Sequence, residues 1–278
     1  MHPFRTIDHH AAMQLLEAGV ATVIDVRSPG EYERLGHIPG AWLLPVDLMA
    51  SAPAILPDTP GPVLVYCEHG VRSRAAAELL SAAGLGEVLN LAGGLAGWSG
   101  PREFGPGVLR GPSSWLIENA DLLPRGRALD VACGRGRHAL LLASAGFDVH
   151  AIDRNPQAIG HLRDTANRLR LTITSGVVDL ETDPPPALGT GEYDLILGFN
   201  YLHRPLMPAL KSAVKPGGRI FYETFTTRQA ERGHPTNPAF LLKDRELAEL
   251  MAPFAVLRSR EGDFDGRFIA SIVAERPK

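Results

Sequence analysis

Between Asp8 and Gly19 the apolar positions Ala12, Leu15 and Leu16 recur at helical spacing, with Asp8 placed to cap the first turn and Gly19 to stop the last. Residues 21–26 (ATVIDV) then read as a buried strand, and Ser28-Pro29 opens a short helix. A second apolar run, residues 63–66 (VLVY), leads straight into Cys67; residues 73–83 (SRAAAELLSAA) form a strong helix ended by Gly84, and residues 88–91 supply another short strand. Short, wholly apolar strands alternating with helices predict an α/β fold in which a parallel sheet is covered on both faces, with its sites at the carboxyl ends of the strands.

The same alternation resumes further on. Residues 128–132 (ALDVA) and 148–152 (DVHAI) are strands on either side of a helix over 138–145, and residues 193–199 (YDLILGF) and 219–225 (RIFYETF) continue the series. Residues 255–261 and 267–275 flank the turn Asp263-Phe264-Asp265-Gly266 and read as a terminal antiparallel hairpin. Between the two series, residues 101–112 (PREFGPGVLRGP) hold three prolines and three glycines, which neither helix nor central strand tolerates. The expected organisation is therefore a domain over 1–100, a linker over 101–111 and a second domain over 112–278.

A length of 278 residues with 45% hydrophobic content suits two domains of ordinary size. No apolar run is long enough to span a bilayer, and the start MHPFRTIDHH lacks the regions of a signal peptide, so a cytoplasmic protein is expected, with no membrane partner. The net charge of −3 is unevenly spread: residues 1–100 carry 5 Arg and no Lys against 10 acids, and the remainder 23 basic against 21 acidic residues. Neither half has the basic balance that phosphate backbones demand, which favours small-molecule partners over nucleic acid. Cys67 and Cys133 cannot build a disulfide framework or a cysteine zinc site, and His9 and His10 face different sides of a helix, so no metal is expected.

Cys67 lies where a strand gives way to a helix. In that loop successive backbone N–H groups and the positive end of the helix point inward, lowering the thiol pKa. Arg72 would add charge and donors for a sulfur oxyanion, and Gly70 would permit the tight turn. The segment Cys67-Glu68-His69-Gly70-Val71-Arg72-Ser73 resembles the active-site loop of single-domain rhodaneses, and residues 25–41 (DVRSPGEYERLGHIPGA) and 93–98 (GGLAGW) resemble that family's flanking motifs. The resemblance implies a sulfurtransferase: Cys67 takes sulfane sulfur from a small donor such as thiosulfate as a persulfide, and Glu68, His69, Gly70, Val71 and Arg72 form the cradle. Related phosphatases have one more residue between Cys and Arg, which argues against phosphatase chemistry here. Asp25, Arg27 and His37 are expected to hold the surrounding loops, and Trp98 to be core.

In the second half, strand, glycine turn and helix follow one another at residues 128–145, the arrangement of a nucleotide site. Asp153 lies 19 residues after Gly134, where a carboxylate reaches ribose hydroxyls, and Gly134, Gly136 and Ala139 satisfy G-x-G-x-x-G/A, so the count alone admits a dinucleotide. Asp130 argues otherwise: an acid four residues before Gly134 repels a pyrophosphate and pairs with a cationic amino-acid group such as that of S-adenosylmethionine. The pattern D-x-x-C-G-x-G-R resembles motif I of class I methyltransferases, whose fold is Rossmann-like with an antiparallel C-terminal hairpin. The later segments fall in that family's order. The resemblance implies S-adenosylmethionine as cofactor, held by Asp130, Ala132, Gly134, Gly136, Asp153, Arg154, Asp179, Leu180 and Phe199, with Asn200, Tyr201 and His203 at the acceptor site.

Methyl transfer needs alignment of the nucleophile with a carbon already activated by the sulfonium, and no diagnostic catalytic side chain. Cys133 is expected to be structural, residues 234–238 (HPTNP) to form a rigid loop on the substrate side, and Lys215-Pro216-Gly217-Gly218 to turn into the strand at 219–225. The glycine turn CGRGRHAL and the short length resemble the tellurite-resistance and thiol methyltransferases, implying a small thiol or chalcogen acceptor. A methyltransferase governed by a rhodanese sensor domain and an enzyme of tRNA thiolation and methylation stay open as alternatives.

Overall fold

The computed structural model describes residues 4–56 and 61–278; residues 1–3 of the stretch read for a targeting signal lie outside it. The chain forms two compact units, residues 1–112 together with 164–171, and residues 113–163 together with 172–278. Among the described residues no helix is long and apolar enough to cross a membrane.

The first unit runs β1 (Arg5–Ile7), α1 (His9–Glu17), β2 (Thr22–Asp25), α2 (Pro29–Arg34), β3 (Trp42–Leu43), α3 (Ala52–Ile55), β4 (Val63–Tyr66), α4 (Val71–Ala82) and β5 (Val88–Leu91). Its five strands pair in parallel in the order β1-β5-β4-β2-β3. The wholly apolar strands are explained by burial on two sides. Ile24, Val63, Val65 and Val88 pack with Ala76, Ala77 and Leu80 of α4, whereas Val23, Leu64, Tyr66 and Leu89 pack with Ala12 of α1 and with Trp98. The ends of α1 and α2 follow their caps: Asp8 accepts from the Ala11 amide, and Ser28 and Glu31 form a reciprocal capping box.

The Pro- and Gly-rich stretch is laid along this unit. Glu103 bridges His37, Leu109 bridges Leu43, and Arg102 donates to the Leu95 carbonyl at 2.7 Å.

The second unit contains α5 (Ser114–Glu118), β6 (Arg127–Val131), α6 (Arg137–Ser144), β7 (Asp148–Asp153), α7 (Pro156–Leu169, whose residues from Asp164 onward are grouped with the first unit), β8 (Ile173–Val177), β9 (Tyr193–Phe199), α8 (Met207–Ala213), β10 (Val214–Phe225), α9 (Glu246–Met251), β11 (Ala255–Phe264) and β12 (Arg267–Glu275). Its seven strands lie in the order β11-β12-β10-β9-β6-β7-β8. The pairs from β10 to β8 are parallel, and β12 runs antiparallel to both β10 and β11, which is the expected terminal hairpin. From β6 the chain winds outward to β8 and then returns to β9 on the other side. That reversal places a crevice at the carboxyl ends of β6 and β9.

One turn differs from expectation. Lys215–Gly218 does not precede the fifth parallel strand but interrupts it: β10 begins at Val214, and its register against β9 shifts between Val214 and Arg219. The Gly217 amide bonds the Arg276 carbonyl, so the residues left out of one ladder are engaged by the chain's end.

Candidate active sites

In the first unit Cys67 directly follows β4, and it is buried at 1% exposure. Gly70, at φ 84°, turns the chain into α4 in a conformation that a side chain would strain, and the turn aims amides back at the sulfur. The Gly70 amide donates to Sγ at 3.1 Å and the Ser73 hydroxyl at 3.4 Å. Burial alone would raise the thiol pKa; the Ser73 hydroxyl and amide, with the His69 and Gly70 amides, outweigh it and bring the pKa below the ordinary value. Ser73 is held in turn by Asn90 at 2.7 Å.

The two arginines of the loops are both engaged by carboxylates. Arg27 is fully buried with Asp25 (2.6 Å) and also reaches Glu68 (2.7 Å) and the Gly36 carbonyl (2.6 Å). Arg72 makes a two-pronged pair with Glu31, at 2.5 and 2.8 Å, whose carboxylate also accepts from the Ser28 amide and hydroxyl. Arg72 and the added donors lower the Glu31 pKa to about 2. His37 stacks on Tyr32 with ring centres 3.6 Å apart and contacts the Tyr32 carbonyl. The side chain of Val71 points to solvent, whereas Trp98 is buried.

In the second unit the turn after β6 is sharply bent: Ala132, Gly134 and Gly136 all have positive φ, and Gly136 caps α6. Asp153, at the end of β7, accepts the Gly134 amide at 2.8 Å and the Asn155 amide at 2.8 Å, fixing the carboxylate beside the turn. Asp130 lies behind it. Its Oδ2 is buried and has no partner, and burial pushes its pKa up to about 7 despite the opposing charge of Arg137 and the Ala139 amide. Cys133 is buried and its pKa is raised by burial and by Asp130 and Asp153, which leaves it an inert thiol.

A cavity of about 200 Å³ opens beside this turn, lined by Ala132, Asp153, Arg154, Val178, Asp179, Leu180, Glu181 and Tyr201. A second, of about 460 Å³, is lined by Glu181, Asn200, Tyr201, Leu202, Thr224, Phe225, His234, Pro235 and Phe240. Glu181 and Tyr201 belong to both walls, so the two cavities adjoin. The Tyr201 hydroxyl is buried without a partner, and burial together with the Glu181 and Asp179 carboxylates keeps it protonated, a ready donor.

Of the residues singled out in the sequence, Ala132, Asp153, Arg154, Asp179 and Leu180 meet on the first cavity, and Asn200 and Tyr201 on the second. Asp130, Gly134, Gly136, Phe199 and His203 line neither. Phe199 is buried against His138, ring centres 4.3 Å apart, and His203 precedes the short 3-10 turn Arg204–Leu206 with its Nε2 buried and unpartnered.

Sequence reasoning missed Glu31, Glu181, Thr224, Phe225 and Phe240. Glu31 lay within a quoted motif, yet its pairing with Arg72 joins positions 41 apart. The cavity-wall residues come from three separated segments, and only the Pro-rich loop at 234–238 signalled its place.

The donor set suits S-adenosylmethionine. Its carboxylates, Asp130, Asp153 and Asp179, match a ligand with an ammonium, ribose hydroxyls and an amino-purine, and an orphaned buried carboxylate oxygen is what an ammonium would satisfy. Comparison with known proteins agrees. Residues 8–101 match the family model of the rhodanese-like domain, and residues 111–258 that of the tellurite resistance protein TehB. A ribosomal protein L11 methyltransferase of Paraburkholderia xenovorans is 35% identical over 142 residues, 46% of this chain and 44% of that protein. Hemagglutinin 1 of Eikenella corrodens is 28% identical over 144 residues, 49% of this chain and 46% of that protein. The chain thus spans less than half the length of these curated relatives. In fold it resembles the crystal structure of TehB from Haemophilus influenzae, with a TM-score of 0.51 at 21% identity over 59% of this chain and 62% of that one. A rhodanese-like domain is therefore followed by a methyltransferase domain with S-adenosylmethionine as its cofactor, and by that second domain the chain belongs to the TehB family.

Proposed function

We propose that the chain is a bifunctional transferase: a sulfurtransferase that carries sulfane sulfur on Cys67, and a methyltransferase acting on a small, soft thiol or chalcogen acceptor. The observation that carries the methyl-transfer reading is the adjoining pair of cavities sharing Tyr201 and Glu181. Two ligands bound there lie side by side, as a methyl donor and its acceptor must.

S-adenosylmethionine supplies a methyl group already activated by a sulfonium. The chain's own part is to hold and align: Asp130 would hold the ammonium, Asp153 the ribose and Asp179 the adenine. Tyr201, a protonated donor on the common wall, orients the acceptor through its hydroxyl. The second cavity combines Leu202, Phe225, Pro235 and Phe240 with no Lys or Arg side chain, which suits an acceptor with an apolar body and a nucleophile needing little base assistance. In the first unit, the lowered thiol pKa and inward amides at Cys67 support a reactive thiolate and a stabilised persulfide.

The experiment is calorimetry followed by turnover. S-adenosylmethionine should bind saturably and NADH should not, and labelled methyl should pass to aliphatic or aromatic thiols faster than to tellurite or selenite. Binding of NADH alone, or no transfer to any thiol or chalcogen compound, would overturn this reading. Intact-mass analysis after a sulfane donor should show one added sulfur on the wild type and none on Cys67→Ser.

A further inference from the structure

Five charged side chains of the loops beside Cys67 pair with one another. Arg27 and Arg72 are the guanidiniums; Asp25, Glu68 and Glu31 are the carboxylates, each within 2.5 to 2.7 Å of one of them. Three acids against two bases leave an excess negative charge before the thiolate is counted. Arg74, the remaining cation of the first turn of α4, faces Glu78 at 3.5 Å. Arg72 is the one of the two guanidiniums exposed enough to meet an incoming ligand, and it is tethered to a fixed point: the Ser28 amide and hydroxyl anchor the Glu31 carboxylate at 3.0 and 2.8 Å.

We propose that Glu31 is a specificity residue of the Cys67 site: by holding the Arg72 guanidinium it admits singly charged sulfane donors, thiosulfonates, and disfavours the thiosulfate dianion. The inference rests on the sulfurtransferase reading and refines it, since thiosulfate is the donor that the loop motif alone suggests. In the step itself the Cys67 thiolate attacks the outer sulfur of the thiosulfonate. A sulfur–sulfur bond forms on Cys67, the donor's own breaks, and its electron pair leaves with the sulfinate; the charge of −2 is the same on both sides. No oxidant or proton is required. Thiosulfate, in contrast, brings two charges toward a guanidinium already neutralised, and like charge beside an incoming anion weakens its binding.

The test measures steady-state transfer to cyanide by the full chain with two donors that differ by one charge, methanethiosulfonate and thiosulfate. Wild type should have the higher kcat/KM with methanethiosulfonate, by about tenfold or more. Glu31→Gln should lower the KM for thiosulfate by about tenfold while the KM for methanethiosulfonate changes by less than about twofold, and Glu31→Asp should restore the wild-type ratio. An unchanged or raised thiosulfate KM in Glu31→Gln overturns the proposal, and so does loss of turnover with both donors, which marks Glu31 as merely structural. If neither donor loads sulfur onto wild-type Cys67, the sulfurtransferase reading itself fails and takes this inference with it.

Discussion

Asp130 is a carboxyl group kept from water with one oxygen unanswered, and in the proposed role its titration would tie cofactor binding to pH. Burial raises its pKa from 3.8 to about 7. Between those values the folded chain holds a proton that the unfolded chain has lost, so the stability of the cofactor-free protein falls as pH rises through that window. A cationic ligand pairs with the ionised form. Affinity for S-adenosylmethionine should therefore rise with pH, by up to about tenfold per unit below the Asp130 pKa, and level off above it. Asp130→Asn should bind about 10- to 100-fold more weakly at alkaline pH, show no such rise, and lose the slope of melting temperature against pH. Calorimetry and thermal melts over that range measure all three; an Asn variant that keeps the wild-type profile would show that another group titrates.

At the scale of elements, the glycine pair between β5 and the following turn supports the Cys67 loop from behind. Leu95 and Ala96 donate their amides to the carbonyls of Cys67 and Glu68 at 2.8 and 2.9 Å. A Cβ on Gly94 would overlap the Cys67 carbonyl oxygen and the Glu68 backbone, at a φ of 66°, whereas one on Gly93, at φ 68°, meets nothing within 4 Å. Gly94→Ala should cost about 2 kcal/mol or more and slow alkylation of Cys67; Gly93→Ala should cost about 1 kcal/mol from backbone strain alone and leave the thiol reactive. Equal losses in the two variants would contradict the close-approach argument.

The same loop shows what was legible beforehand. The run VLVY-C, the helix after it and the acids at strand ends could be read directly because each is a local pattern. The edge strands β1 and β3, three and two residues long, could not, since segments so short show no periodicity. Helix α7 was missed although Ala158, Ile159, Leu162 and Ala166 recur at helical spacing and are buried, because polar residues and Gly160 dominate its sequence. The partner of Arg72 and the wall shared by Tyr201 and Glu181 depend on chain returning from elsewhere, which no window of sequence contains.

For the molecule as a whole, the wall common to the two cavities and the lone nucleophile of Cys67 impose opposite orders of events. If Cys67 carries sulfur as proposed, a sulfur donor must leave before its acceptor arrives, since both react at the one sulfur atom, and double-reciprocal plots of initial rate against donor at fixed acceptor concentrations should be parallel. Under the proposed arrangement at Tyr201, methyl donor and acceptor must be present together, so the corresponding plots should intersect. One polypeptide would thus display a double-displacement cycle and a ternary-complex cycle in the same preparation, each identifiable from the slopes alone.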